Sequence, residues 1–580
     1  MYQLKVVHLP NQVTKVIEVL KRQCLHHLLV NELGYHAPCG GNKACRKCKV
    51  KLIEDVPYTE MEQEVLTQEE MAEHIHLACL TYIEQDLTVI LESNQTYQIA
   101  QDVYEVERTI NPMVKRKIIE IKNLKKIQSS DWCAAIKEEI PVNDISLKAL
   151  RKLARLLEDE SISITIVHDD EKILDLIGFE QLGYGVAIDI GTTTVVAYLY
   201  NLMTGVHTDH VVGINQQQNF GFDVISRIKY AHTKQGLEAL SNTIKNQLNS
   251  MLKKLLARNQ LAQEQIDEIV IVGNTVMMYL LLGITPKSLG VAPFQCVFTQ
   301  TMIQSATEVG LCGGEHCQVI LVPHMAAYVG ADIISGVIAT AMDQSEDCQL
   351  LLDIGTNGEM VLVKGNKMYC CATAAGPAFE GAKIECGVGG VYGAINKVDE
   401  KNDQLTYETI GDQAPIGLCG SGIIDVIAYL LKIEMIDETG YLELEKKDEF
   451  TIAHKEDGAS IYITQKDVRE IQLAKAAIRA GIETLFAESD VKVSEISKLY
   501  LAGGFGNYMS KENAINIGLI PEALADKIIP VGNAAGIGAI QVLLDSNNIK
   551  KCDEVKAACQ YIELSHSPTF SNFYIQHMSF

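Results

Sequence analysis

Residues 186–200 read VAIDIGTTTVVAYLY and residues 350–363 read LLLDIGTNGEMVLV. In the first, an apolar run ends in Asp189-Ile190-Gly191-Thr192-Thr193-Thr194 and a second apolar run begins at once. In the other, Asp353-Ile354-Gly355-Thr356-Asn357-Gly358 stands between the same two kinds of run. A strand–turn–strand that recurs far along a chain is the mark of two related lobes facing one another across a cleft. The surrounding sequence, from residue 183 onward, repeats short apolar strands, glycines and helical stretches, which predicts an α/β fold. Two Gly/Ala-rich helices are expected over 328–342 and 533–544, carrying Gly330, Gly336, Gly536 and Gly538. Small residues let such helices cross closely, and a close crossing is a place for two lobes to hinge; plain buried helices are the alternative.

The chemistry of the two turns follows from their residue types. Gly191 with Thr192, Thr193 and Thr194 offers backbone N–H groups and hydroxyls at short range, which suits polyphosphate oxygens. Asp189, at the end of its strand, is placed to hold a magnesium ion through water, since Mg2+ keeps most of its hydration shell. Asp353 with Gly355, Thr356 and Asn357 is expected to grip the same phosphates from the opposite side. A third turn, Gly503-Gly504 in Leu501-Ala502-Gly503-Gly504-Phe505-Gly506, lacks side chains where the flat ring and ribose of a nucleotide would approach. G-x4-G-K-[ST] and G-x-G-x-x-G are both absent, so P-loop and Rossmann readings fall.

Working outward, residues 1–95 alternate β-like stretches with one helix whose stripe is Leu25, Leu28, Leu29 and Leu33. Residues 96–125 read as a linker carrying the charge run Lys115, Arg116, Lys117, Lys122, Lys125 and Lys126, expected as a solvated face. Residues 126–182 read as a small α+β unit, with a helix near 146–157 and a strand near 162–167. Across all 580 residues, Lys+Arg at 50 against Asp+Glu at 74 leave a net charge of −24, which repels phosphate backbones and anionic lipid. Nucleic acid and membrane are therefore excluded as first choices. No apolar run reaches the length of a membrane span, and the opening residues lack a signal peptide's apolar region, so a cytoplasmic protein is expected.

In that compartment clustered cysteines point to metal and scattered ones to core packing. Cys39, Cys45 and Cys48 stand as C-x5-C-x2-C, and Cys79 follows in His76-Leu77-Ala78-Cys79-Leu80. Three thiolates from one loop and one from afar are the plant-type 2Fe-2S arrangement with one extra loop residue. Gly40 and Gly41 let the backbone wrap closely around an anionic cluster. Zinc accepts the same four thiolates, but a single remote fourth ligand fits a cluster better than paired zinc knuckles. Cys24 reads as core. Cys370, Cys371, Cys386 and Cys419 lack a short metal-binding pair and read as packing. His324 is open to a partner contact or the core, and Glu380 to a place in the cleft.

With these residues in view, the N-terminal segment resembles 2Fe-2S ferredoxin domains. The order of phosphate turn, crossing helix, phosphate turn, adenosine turn and crossing helix resembles the acetate and sugar kinase, chaperone and actin superfamily. The phrases Gly273-Asn274-Thr275, Tyr328-Val329-Gly330-Ala331-Asp332, Asp353 to Met360, Ala374-Ala375-Gly376-Pro377-Ala378-Phe379-Glu380-Gly381 and Leu501 to Gly506 resemble the reductive activators of corrinoid proteins. The resemblance implies a multidomain α/β chain: a β-grasp ferredoxin-like domain (1–95), a linker (96–125), a small α+β middle domain (126–182) and a two-lobed actin/sugar-kinase-like (ASKHA) ATPase (183–580). It implies a 2Fe-2S cluster, ATP and Mg2+ as cofactors, with Cys39, Cys45, Cys48 and Cys79 as cluster ligands. The partners it implies are a corrinoid methyl-carrier protein and a low-potential electron donor, with a homodimer left open. Competing readings are a small-molecule kinase for a carboxylate or sugar, and a nucleotide-binding sensor, each regulated by the ferredoxin domain.

Overall fold

A computed structural model describes residues 2–8, 13–19, 21–26, 28–29, 48–91, 109–120, 131–140, 142–158, 163–401, 404–444, 449–503 and 509–580. The N-terminal part is a five-stranded mixed sheet in the order Val13–Val19, Tyr2–His8, Leu87–Leu91, Lys49–Leu52, Ile75–Leu77. Tyr2–His8 pairs antiparallel with its hairpin partner and parallel with Leu87–Leu91, the β-grasp arrangement. The last strand alternates buried and half-buried residues, so one face carries Leu87, Val89 and Leu91 into a core shared with Leu4, Val6 and Leu52. Of the expected leucine stripe, Leu25 and Leu29 are buried there; Leu33 lies outside the described residues.

The two large sheets repeat one plan. In the first lobe, Tyr184–Ile190 runs antiparallel to Thr194–Asn201 and parallel to Ile266–Gly273. In the second, Cys348–Ile354 runs antiparallel to Gly358–Lys364 and parallel to Ile496–Ala502. Each plan adds a third antiparallel strand on one side (His207–Ile214; Lys367–Thr373) and a further parallel strand on the other (Gln318–Leu321; Ile528–Gly532). The expected duplication is thus present over five strands, whereas the sixth lies at opposite edges, Met302–Ser305 beside Gln318–Leu321 and Cys559–Tyr561 beside Lys367–Thr373.

Each outer parallel strand leads into a helix, Ala331–Thr340 and Ala534–Leu544. These two helices cross so closely that a β-carbon on Gly538 would lie 2.0 Å from the Ser335 carbonyl oxygen. Both are buried along their length, so small residues are required there by sterics.

A four-stranded sheet, in the order Lys115–Glu120, Ser163–His168, Lys172–Ile177, Asp144–Ile145, is joined by helices Trp132–Glu139 and Leu147–Glu158. Its first strand falls within the stretch expected as linker, and this corrects the sequence reading. Alternate residues of a strand face opposite ways, and Arg116 is turned inward to the first lobe. Its Nε and Nη2 donate to the two Asp267 carboxylate oxygens at 2.7 Å each, and neither side chain reaches solvent appreciably. Lys115 and Lys117 remain at the rim, paired with Asp170 at 2.5 Å and Glu139 at 3.2 Å. Just before, Asn111 exchanges backbone bonds with Leu544 (2.7 Å) and Ser546 (2.9 Å) at the end of the second crossing helix. The amides of Met113 and Val114 donate to Glu268 at 3.1 and 3.2 Å. The chain arriving from the ferredoxin-like sheet is therefore fastened beside the lobe crossing. Among the described residues, no helix is long and apolar enough to cross a membrane.

Candidate nucleotide cleft and thiol site

Asp189 and Asp353 occupy the same place in the two lobes. Asp189 pairs with Val196 and Val272 in register, and Asp353 with Glu359 and Ala502. The strand after each is pinched against it by a glycine. Gly273, at φ +151°, would put a β-carbon 2.5 Å from the Ile190 carbonyl oxygen; Gly503, at φ +106°, would put one 2.2 Å from that of Ile354 and 3.1 Å from the Asp353 carboxylate. A side chain at either position is excluded by both backbone angle and space. Gly503 thus has a packing reason beside the phosphate turn. Its neighbour Gly504 lies outside the described residues.

The first turn is tied from behind. Buried Arg227 donates through Nη2 to the Thr192 carbonyl at 2.6 Å and through Nε to the Gly221 carbonyl at 2.8 Å. Asn215 donates its side-chain amide to Gly191 O at 2.8 Å and its backbone N–H to Thr193 O at 2.9 Å. With these carbonyls engaged, what the turn has to offer an anion is donors. Burial pulls the Arg227 guanidinium down to about 9, with Asp223 and Glu380 opposing, so it stays cationic at neutral pH.

One carboxylate spans both turns. Glu380, from the short helix Pro377–Glu380, accepts from Thr356 Oγ1 at 2.9 Å and from Thr193 Oγ1 at 3.2 Å. Thr193 and Thr356, predicted from sequence as partners in phosphate binding, are thereby brought to a common point. Glu380 is in the cleft, and burial raises its pKa against the hydrogen bonds of the two threonines.

Four further carboxylates, Asp189, Asp332, Asp353 and Glu359, are linked by charge, with Asp332 acting on the other three. Burial, with Asp332 adding to it, lifts Asp189 to about 7; a hydrogen bond from Asn533 opposes this. Burial lifts Asp353 to about 7 as well, helped by Asp332 and Asp189. Glu359 is pushed well up by burial, then by Asp332 and Asp353, against hydrogen bonds from Asn274 and Asn357. These half-buried acids form no group that holds a metal ion directly, but their concentration of negative charge suits a Mg2+ held through its own waters. Sequence reasoning named Asp189 and Asp353 but missed Asp332, Glu359, Asn274, Asn533 and Arg227 as site residues. Asp332 in the first turn of its helix reads locally as a dipole-complementing residue, and Arg227 has no local signal.

In the ferredoxin-like sheet, Cys48 and Cys79 are buried with their Sγ atoms 3.2 Å apart, close enough to share one tetrahedral ion. Cys39 and Cys45 lie outside the described residues. Cys79 is positioned by bonds from Ala78 N to Cys48 O at 2.8 Å and from His26 N to Ala78 O at 3.0 Å. Cys24 donates toward the carbonyls of Ala78 and Cys79 at 3.7 and 3.8 Å. The strand leading to Cys79 is braced by buried Glu62, which accepts from Leu77 N at 2.9 Å and lies 3.3 Å from His76. Burial alone would raise the Glu62 pKa, but bonds from His76, Thr59 and Leu77 hold it below the usual range.

The remaining candidates are core. Cys370, Cys371 and Cys419 are buried, Cys386 half-buried, and no metal-holding group forms among the described residues. His324 is fully buried, its ring edge-on to Phe298 at 4.9 Å, and burial lowers it to about 4.

Comparison with known proteins bears on all these parts. Residues 9–84 match the 2Fe-2S iron-sulfur cluster binding domain family, 184–345 the RACo middle region, and 347–580 the C-terminal domain of RACo, the ASKHA domain. The last two divide at the crossing between the lobes, so the region called middle is the first lobe. The corrinoid activation enzyme RamQ of Eubacterium limosum is 31% identical over 573 residues, covering 93% of each chain. The [Co(II) methylated amine-specific corrinoid protein] reductase of Methanosarcina barkeri is 26% identical over 437 residues, 68% of this chain and 77% of that one. A solved reductive activator for corrinoid, iron-sulfur protein superposes with a TM-score of 0.75 at 30% identity, covering 100% of this chain and 98% of the other. The ferredoxin-type sheet, the duplicated lobes and these matches along nearly the whole chain lead to one conclusion: it belongs to the RACo family.

Proposed function

We propose that this chain is an ATP-dependent reductive activator that returns an inactive Co(II) corrinoid methyl-carrier protein to Co(I), using an electron from its own 2Fe-2S cluster. The observation that carries the reading is the union, in one polypeptide, of a buried thiol pair in a β-grasp sheet with a threonine- and carboxylate-lined cleft between duplicated lobes. Relatives named for corrinoid activation support the choice of partner.

Cys39, Cys45, Cys48 and Cys79 are the ligands of the cluster, which supplies a one-electron carrier when bound. Asp189 and Asp353 are the catalytic carboxylates, holding Mg2+ through its waters. Gly191, Thr192, Thr193 and Thr194 donate to the phosphates from the first lobe, and Gly355, Thr356 and Asn357 from the second. Gly503 and Gly504 leave room for the adenosine. The protein works in the cytoplasm, takes its electrons from a low-potential donor, and is compatible with a homodimer.

Reduction of Co(II) is uphill from ordinary donors, and a one-electron equilibrium moves tenfold per about 59 mV. A difference of about 5.5 kcal/mol in affinity for the two cobalt states, set by nucleotide, would bridge roughly 240 mV. ATP then acts through lobe closure around the partner, and the closely crossed helices are the element that moves. The test is anaerobic: reduced protein, MgATP and a Co(II) corrinoid protein are mixed and the Co(I) absorption band is followed. The band is expected only with ATP, and Asp189→Ala is expected to slow its appearance about 100-fold with cluster absorbance intact. Undiminished reduction by that variant, or a band that forms equally without ATP, would overturn the reading.

A further inference from the structure

The carboxylates of the cleft divide into two groups. Asp189 and Asp353 end equivalent strands of the two lobes, and Asp332 and Glu359 act on them or are acted on by them through charge. Glu380 stands apart from that set: the charge acting on it is the Arg227 cation, and its direct contacts are hydroxyls. Its oxygens lie 2.9 Å from Thr356 Oγ1 and 3.2 to 3.4 Å from Thr193 Oγ1, one threonine from each phosphate turn. It is delivered there by a rigid turn. Gly376 and Gly381 flank it at φ +77° and +75°, a β-carbon on Gly381 would strike Val388 N and O at 2.7 and 2.6 Å, and Phe379 is locked in the core.

Resting on the ATP reading above, we infer that Glu380 is the catalytic base of ATP hydrolysis, orienting the attacking water at the junction of the two turns. The water oxygen forms a bond to the γ-phosphorus. The bond between that phosphorus and the β–γ bridging oxygen breaks, its electron pair leaves with ADP, and the water's proton passes to a Glu380 carboxylate oxygen. No other reactant is needed. Phosphoryl transfer asks the protein mainly for positioning and charge, and a carboxylate fixed by two hydroxyls supplies an acceptor for the proton and a fixed line of approach. Glu380 is the cleft carboxylate that touches a hydroxyl from each phosphate turn, which places it at the junction where the terminal phosphate would lie. Burial raises the Glu380 pKa against the hydrogen bonds of the two threonines and the charge of Arg227, a direction that favours proton acceptance.

The experiment measures phosphate release from MgATP by the full chain, and binding of a non-hydrolysable ATP analogue by calorimetry. Glu380→Gln is expected to bind the analogue within about threefold of the parent while its kcat falls about 100- to 1,000-fold. Glu380→Ala is expected to recover at least about tenfold in rate with added formate, a response that a purely structural role would not produce. A Glu380→Gln kcat within about threefold of the parent overturns the inference, as does loss of analogue binding parallel to the loss of rate, or absence of formate rescue in a folded Glu380→Ala. A parent chain that neither binds nor hydrolyses ATP overturns the function reading itself, which separates the two failures.

Discussion

The turn after Asp189 and the turn after Asp353 occupy equivalent places in equivalent sheets, but they are held differently. The first has the carbonyls of Gly191, Thr192 and Thr193 tied back by Asn215 and buried Arg227. The second is closed by a bond from Gly355 N to Asn357 O at 2.9 Å and by the Glu380 contact with Thr356. The same contrast recurs on the next strand. Glu268 pairs with Gly185 and Lys498 with Gln349, so Asp267 and Glu268 stand where the second lobe has Ser497 and Lys498. The acids are fully buried, whereas Ser497 and Lys498 face solvent. Duplication preserved the strand plan, and buried polar contacts then made the first lobe a fixed platform to which the small sheet and the incoming chain are fastened.

The sharpest way to break this comparison is Arg227→Ala. It removes charge-assisted bonds to two buried carbonyls and opens a cavity, at an expected cost of about 3 to 5 kcal/mol. Thermal melting should drop accordingly and nucleotide binding should be lost, with cluster absorbance unchanged. A drop under about 1 kcal/mol would mean that the first turn needs no brace and that the lobes are alike in this respect.

Next in size is Arg116→Ala, which strands Asp267 with His316, 2.6 Å away, as its remaining close cation-capable partner. The loss is about 3 kcal/mol, confined to the docking of the small sheet. It should appear in calorimetry as a separate low-temperature transition, and in limited proteolysis as new cleavage between residues 109 and 120. A single unchanged transition would show that apolar packing alone holds the sheet to the lobe.

The smallest effect is a pH dependence at Glu268. Burial raises its pKa from 4.5 to about 8, with the Val114 and Met113 amides opposing. Because the folded value exceeds the unfolded one, the folded state binds the extra proton. Its stabilising effect is full below about pH 4.5 and is lost as pH rises through about 8. Between about pH 6 and about pH 7.5, inside that window, the stability of the first lobe should fall by on the order of 2 kcal/mol, and Glu268→Gln should flatten the trend. A variant with the same slope as the parent would assign the dependence to other groups.

Much of the frame was legible in the sequence because it rests on short-range rules. Asp189-Ile190-Gly191 and Asp353-Ile354-Gly355 announce themselves through strand apolarity and turn residues, and the glycines of the crossing helices through their composition. Cys48 and Cys79 were legible through thiolate spacing, and their sulfurs do meet. Other residues carried misleading local signals. Arg116 sits in a basic run and reads as solvated, since nothing nearby in sequence reveals Asp267 across the sheet. His324 was open between surface and core, and three-dimensional packing against Phe298 decided it.

What the sequence determined by itself is the set of elements and reactive groups: duplicated hairpins, a four-cysteine pattern, close-packing helices, and a resemblance detailed enough to name a family. Which of those groups meet was decided by tertiary structure alone. Thr193 and Thr356 converge on Glu380, Asp332 approaches Asp189 and Asp353, and Arg227 reaches behind the first turn, all from separate elements. The physical reason is range. Strand periodicity, turn chemistry and ligand spacing act over a few residues, whereas shared carboxylates and buried ion pairs exist only once distant segments have been packed against one another.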